Sequence, residues 1–520
     1  MSSSEELDLP DAPPVIDPAS DDDGSDDVKV KPEPAPSSPP AAAGDNKKAI
    51  ERIFDDDSDA EGKKDVKVKP QLEDSDDEDY GDLPDADLFE SEALAEVPSR
   101  STDYSDPQVM YAFYQRLFPW RILFQWLNHS PIPTHDFGHR EFAFTLQNSA
   151  YLRYQSFPTF ETLRKDVLKL NPSRFEIGPV YSANPRDRKS LRKAAFKPIA
   201  KELVFDIDLT DYDDVRTCCD KANICNKCWQ FITVAIKIMD VALRDDFGFK
   251  HIMWVYSGRR GAHAWVCDRR AREMDDQKRR SIASYLEVVR GGDKSGKKVN
   301  LRRPLHPHLA RSMEVLRDSF GQNILRDQDP WRENDRAEKL LDLLPDKTLV
   351  AELRKKWNSL PGRSSTAKWN DIDAQAKSAS KTLDTQKLLT SKQDIVFEYL
   401  YPRLDAEVSK HLNHLLKSPF VVHPGTGRVC VPIDSKRPED FDPLAVPTVT
   451  SLLKEIDEWN GNHKEDGEKG AEEKIPDYEK TSLKPYVEYF RRFVAGIVKE
   501  ESKEKVNLKR ERSAVDAMEY

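Results

Sequence analysis

The chain has 520 residues, with 81 Lys and Arg against 93 Asp and Glu, but its formal net charge of −12 is unevenly spread. The first 100 residues hold 31 acids and 10 bases, which leaves 62 acids and 71 bases in the other 420, so a basic body follows an acidic segment. No apolar run approaches the ~18 residues that span a bilayer, and the acidic start argues against a secretory or transit leader, so a soluble intracellular protein of two or three domains is expected.

Residues 1–102 read as a disordered acidic tail. They are dense in Pro, Ser and Asp, lack Trp and Cys, and repeat Asp-Val-Lys-Val-Lys-Pro at 27–32 and 65–70. Such a composition buries too little apolar area to offset its ordering entropy. Folding is expected to begin near Thr102, where Tyr111, Tyr114, Phe118, Trp120, Ile122, Leu123 and Trp126 recur at helical spacing. Strands are predicted at 141–146, 150–155, 175–181 and 202–209, then a helix from Trp229 to Asp246 that stops at Gly248. A hairpin follows, His251 to Tyr256 and Ala262 to Cys267. Residues 286–400 turn polar and helical, 420–433 suggest a second hairpin, 461–480 a charged linker, and 483–499 a last helix.

The strand at 202–209 carries the most specific chemistry. Successive side chains alternate in an extended chain, so Asp206 and Asp208 share a face while Phe205 and Ile207 take the other. A solvated edge strand fits that alternation as well as a cation site does. Paired carboxylates on a rigid strand are what a hard divalent ion needs. Asp405 is a possible third carboxylate, or an N-cap for a helix beginning at Ala406. Cys218, Cys219, Cys225 and Cys228 fall within eleven residues, which suits tetrahedral zinc better than a disulfide framework and leaves no open coordination position. Cys267 and Cys430 read as buried thiols. In Ser257-Gly258-Arg259-Arg260-Gly261-Ala262-His263, glycines flank an arginine pair, which lets backbone approach a polyanion while guanidiniums offer forked donors to phosphate. Lys417 and His423 bracket the stiff Ser418-Pro419 step and add two more basic groups.

These stretches together, Glu202 to Arg216, Trp254 to Asp268, Tyr401 to Asp405 and Asn413 to Pro424, resemble the catalytic small subunit of the eukaryotic and archaeal type of DNA primase. The resemblance covers about 105–500 and is strongest in the motifs. It implies a mixed α/β (α+β) fold: a catalytic core at 103–285 with a zinc loop at 218–228, an inserted helical subdomain at 286–400, a second core segment at 401–460, and a C-terminal helix and tail at 481–520. It further implies that Asp206, Asp208 and Asp405 hold two Mg²⁺ or Mn²⁺ ions, and that Ser257, Arg259, Arg260, His263, Lys417 and His423 hold the incoming nucleotide. Glu141, Arg153, Arg174 and Glu176 match further polar active-site positions, the last two departing in side-chain reach from the Lys and Asp usual there.

The expectation is therefore a nuclear enzyme that makes short RNA primers from NTPs on single-stranded DNA, with structural Zn²⁺. An iron–sulfur large subunit and the catalytic and accessory subunits of DNA polymerase alpha are the partners implied; no membrane is. Rival readings are a primase-polymerase or untemplated nucleotidyltransferase using deoxynucleotides, and a non-catalytic nucleic-acid scaffold.

Overall fold

The computed structural model describes residue 104 and residues 106–289, 298–299, 301–378, 383–462 and 475–518, with the side chains of 508–518 excepted. The expected acidic tail and most of the expected charged linker lie outside them.

The aromatic helical pattern resolves into two helices, Pro107–Arg116 and Trp120–Asn128. Asp106 caps the first by accepting the Gln108 N–H at 2.8 Å, and Pro107 supplies its first turn. Pro119 separates the two, because proline lacks the N–H that a continuous helix would use. Their aromatics join two sheets. Trp120 stacks on Phe175 of the first sheet at 6.3 Å, and Trp126 meets Trp265 of the second edge-on at 5.1 Å. Each such side chain contributes roughly 2–3 kcal/mol by leaving water.

The first sheet contains β1 (Arg140–Thr145), β2 (Tyr151–Gln155), β3 (Arg174–Tyr181), β4 (Pro198–Ala200) and, from far along the chain, β8 (Leu416–Lys417). β1 lies between β2 and β3; β4 and β8 share the other edge of β3. The second sheet runs β5–β7–β6–β9, from β5 (Leu203–Asp208), β6 (Ile252–Tyr256), β7 (Gly261–Val266) and β9 (Pro432–Ile433), all antiparallel. The strand and first-hairpin expectations agree with this to within a residue or two.

Against the second sheet lies the helix Asn226–Val241, buried on nearly every side, as its all-round apolar sequence requires. It continues as a wider turn to Asp246, and Gly248 at φ +65° stops it. Between Pro307 and Leu400 every regular element among the described residues is helical. The last helix outruns its expected end, spanning Lys484–Met518. Among the described residues no helix is long and apolar enough to cross a membrane.

The expected second hairpin is present but short and irregular: Val422 and Val429 form one antiparallel bridge, flanked by the His423 N–H on the Arg428 carbonyl and the Cys430 N–H on the Val421 carbonyl, both at 2.9 Å. Buried Phe420, at φ +65°, also donates to the Cys430 carbonyl at 2.7 Å, which ends the regular pairing there.

A buried ion cluster sets the two sheets in register. Glu202, just before β5, accepts from both terminal nitrogens of Arg140 in β1 at 2.8 and 3.0 Å, with His129 at 3.5 Å. The adjacent cations hold the Glu202 carboxyl well below its usual range despite its burial. Removing either partner would strand a buried charge.

Candidate functional site

The site lies where the two sheets meet. Asp206 and Asp208 project from β5 opposite His263 and Gly261 of β7. His263 Nε2 is 3.5 Å from Asp206 Oδ1. Asp208 is held firmly: Thr210 donates from its N–H and its hydroxyl to Oδ1 at 2.8 Å, and Arg260 Nε lies 2.8 Å from both carboxylate oxygens. Asp405 caps the short helix Ala406–Lys410, accepting the Glu407 N–H at 3.1 Å, and bridges to Asp206. Capping and participation in the cluster are thus compatible roles for one carboxylate.

The cluster is electrically strained. The Asp206 carboxyl is pushed well above its ordinary range, first by loss of hydration and then by Asp208 and Asp405, against which Lys417 is the opposing cation. Asp211, which the sequence reasoning leaves unassigned, belongs to the same field: burial, Asp208 and Asp405 raise it to about 6. A concentration of carboxylates whose protons are hard to remove is the donor chemistry that suits a divalent cation. Arg403 is a second residue that sequence reasoning misses. It donates to the Asp211 carbonyl at 2.6 Å, pairs with Asp214, and presents its backbone N–H to the Tyr212 hydroxyl at 2.9 Å, so it ties the Asp405 segment to the turn after β5. The Asp-rich run from 206 to 214 is the available signal.

Across from the carboxylates stands a cationic wall. Burial first, and then Lys417, Arg259, Arg174 and Arg260, keep His423 well below its usual range, so it is a neutral ring within a ring of cations. Lys417 Nζ donates toward the Ser257 carbonyl at 3.5 Å, and the Thr426 hydroxyl to the Gly258 carbonyl at 2.7 Å, joining the arginine turn to the 423–427 turn.

The turn's glycines need a revised explanation. Gly258 adopts φ +91°, and a Cβ there would stand 2.5 Å from the His423 Cβ; one on Gly261 would stand 2.5 Å from the Ile207 carbonyl oxygen. The space freed by these glycines is filled by the protein's own close packing, and the arginines are the partly exposed residues of the turn, with Arg260 directed onto Asp208.

Glu141, Arg153, Arg174 and Glu176 form an adjoining polar line. Glu141 is buried and accepts from Arg153 Nε at 3.1 Å, the Tyr154 N–H at 3.1 Å and the Tyr181 hydroxyl at 3.0 Å. Glu176 accepts from Tyr151 at 2.5 Å, lies 3.7 Å from Arg174 Nε, and pairs in register with Lys417.

Apart from these, Cys218, Cys219, Cys225 and Cys228 bring their four sulfurs within 4.8 Å of one another. A tetrahedron with 2.3 Å metal–sulfur bonds has edges of roughly 3.8 Å, and the Cys225–Cys228 sulfurs are 3.9 Å apart. The Cys228 thiol is drawn down to about 5 by Cys218 and by the Cys225 N–H and Arg216, while burial raises Cys219 to about 12. Buried Arg216 donates to the Asn223 and Lys221 carbonyls at 2.9 Å and so braces the loop.

Known proteins resemble this chain over the segment that carries the site. The family described as DNA primase small subunit matches residues 205–435. A Schizosaccharomyces pombe protein named DNA primase small subunit is 54% identical over 436 residues, covering 81% of this chain and 96% of its own length. The Saccharomyces cerevisiae protein of the same name is 45% identical over 75% of this chain and 92% of its own. A Pyrobaculum aerophilum protein named DNA primase small subunit PriS shares 30% over 151 residues, 29% of this chain and 47% of its own.

Proposed function

The chain belongs to the DNA primase small subunit family, and from that premise we propose that it is the catalytic subunit of a primase, making RNA primers de novo on single-stranded DNA. The observation that carries this reading is the facing of Asp206, Asp208 and Asp405 by the cationic set around His423. Two Mg²⁺ or Mn²⁺ ions at the carboxylates would supply Lewis-acid stabilisation of the attacking and leaving oxygens. Arg259, Arg260 and Lys417 bind the triphosphate and offset its charge. Ser257 orients the turn by accepting the Gly261 N–H at 3.0 Å. His263 is placed to steer Asp206, and neutral His423 to accept or donate one hydrogen bond without repelling the surrounding cations. Arg153 and Arg174, held by buried Glu141 and Glu176, extend the polar lining of the active site.

The four-cysteine loop fits structural Zn²⁺ that takes no part in the chemistry. The relatives' designation as a small subunit supports a large-subunit partner. With four of six cysteines gathered in that loop and Cys267 and Cys430 buried apart, an iron–sulfur cluster would belong to that partner. Association with DNA polymerase alpha and a nuclear location extend the same reading.

Incubation of the chain with single-stranded template, NTPs labelled on the γ-phosphate, and Mg²⁺ or Mn²⁺ tests it. Short products that retain the label are expected. Products made only from deoxynucleotides would move the assignment to a primase-polymerase, and template-independent products to a terminal nucleotidyltransferase.

A further inference from the structure

The loop joining β3 to β4 is chemically unlike its surroundings. Between 185 and 197 it exposes Arg188, Lys189, Arg192, Lys193 and Lys197, with Asp187 its single acid. It is anchored at both ends. Arg186 pairs with Asp166 at 3.3 Å and covers the Phe157 ring, while Ser182 and Lys197 exchange hydrogen bonds at 2.9 and 3.0 Å.

Aromatic rings floor it. Phe196 stacks on Tyr181 at 4.1 Å with planes 7° apart, and Tyr154 meets Phe196 edge-on at 6.1 Å. Arg188 lies 4.2 Å over the Tyr154 ring, with Arg153 at 5.0 Å. Tyr154 and Phe196 are both half-buried, so each keeps an accessible part. Tyr154 also sits at φ +59°, a costly conformation for a tyrosine. Its N–H on Glu141 holds it there. β3 connects this floor to the site: Glu176, paired with Lys417, and Tyr181, under Phe196, are five residues apart, roughly 17 Å along a strand.

Exposed cations beside partly accessible rings are the chemistry that binds single-stranded nucleic acid, with phosphates on Lys and Arg and bases against aromatic faces. We infer that the 185–197 loop and the Tyr154/Phe196 floor form a binding track for single-stranded polynucleotide leading to the carboxylate cluster. The direction of the track rests on the primase reading; the binding itself does not.

The test uses the full chain without nucleotides. Anisotropy of labelled oligothymidylate, and of oligouridylate of equal length, is titrated across a salt series for wild type and for the combined variant Arg188→Gln, Lys189→Gln, Arg192→Gln, Lys193→Gln. Affinity for at least one strand should fall about tenfold or more, and the slope of log K against log salt should shrink by about 0.7 for each phosphate that the variant no longer neutralises. Phe196→Ala should weaken binding about fivefold or more, leaving that slope nearly unchanged. With melting temperatures retained, unchanged affinity and slope would overturn the proposal. Weakened capture of a peptide spanning 1–102 by a combined variant of unaltered DNA affinity would assign the patch to the chain's own acidic segment instead. An inactive wild type would refute the primase reading without touching these binding constants.

Discussion

Asp405 donates its backbone N–H to the Asp206 carbonyl at 3.2 Å, and this isolated antiparallel bridge brings a distant carboxylate beside the β5 pair. Bridged residues present their side chains on the same face, so their carboxylates repel, which adds to burial and to Asp208 in raising the Asp206 proton affinity. Asp405→Asn keeps the N-cap, since Asn caps as well as Asp, and removes only charge. The expected outcome is unchanged thermal unfolding with primer synthesis lower by on the order of 10³, several kcal/mol of transition-state stabilisation. Near-normal synthesis by this variant, or by Asp208→Asn, would sink the carboxylate assignment.

The zinc reading makes a separate demand. Metal analysis of purified chain should find about one zinc, and Cys228→Ser should lose it together with stability, because binding to a closed thiolate site is coupled to folding. Arg216, which donates to Cys228 and two loop carbonyls, is the internal comparison. Arg216→Lys loosens the loop while leaving all four thiols, so it should weaken zinc retention less than Cys228→Ser does. A stable, active, zinc-free wild type would refute the assignment.

How much of this is legible in the sequence depends on range. The β5 alternation and the β6–β7 hairpin are local patterns, and the registers follow them. Asp405 is identifiable only as a candidate, because its place in the cluster comes from one long-range backbone bridge. Gly258 stands out for the wrong reason: the residue it makes room for, His423, is distant in sequence, and no spacing rule reveals such packing. β8 and β9, two residues each, lie below the length at which periodicity speaks. Tyr154's left-handed backbone, held by Glu141, has no sequence signal, since tyrosine is an ordinary strand residue.

His308 gives the fold an acid-sensitive joint. It is buried, meets the Tyr401 hydroxyl at 2.9 Å and Asp246 at 3.3 Å, and burial draws it down to about 4 although Asp246 opposes the shift. Its folded value is below its unfolded value near 6.5. Its contribution to stability is therefore complete above about pH 6.5 and is lost as pH falls toward 4. Between pH 7.5 and 5 the loss should be roughly 1–2 kcal/mol. Urea unfolding at both pH values should show that His308→Gln, though less stable at pH 7.5, loses less between them. An equal decline in both proteins would exclude His308 as the joint.

Arg260 decides whether the arginine turn serves nucleotide or template. Its Nε sits between both oxygens of Asp208 at 2.8 Å, and its backbone carbonyl accepts the Leu209 N–H at 3.1 Å, so the guanidinium is aligned on the carboxylate cluster by the turn itself. Arg260→Lys keeps the charge but loses the planar fork. If the turn grips the incoming triphosphate, the Michaelis constant for NTP should rise severalfold, and initiation, which positions two nucleotides, should suffer more than extension. Single-stranded DNA affinity and its salt slope should stay where they are, because the polynucleotide cations lie on the 185–197 loop. A weakened, less salt-dependent DNA complex with an unaltered nucleotide requirement would reverse the assignment. Both constants are measurable on one preparation, and only the nucleotide constant should move, since the arginines share the field of Lys417 and His423 beside the carboxylates.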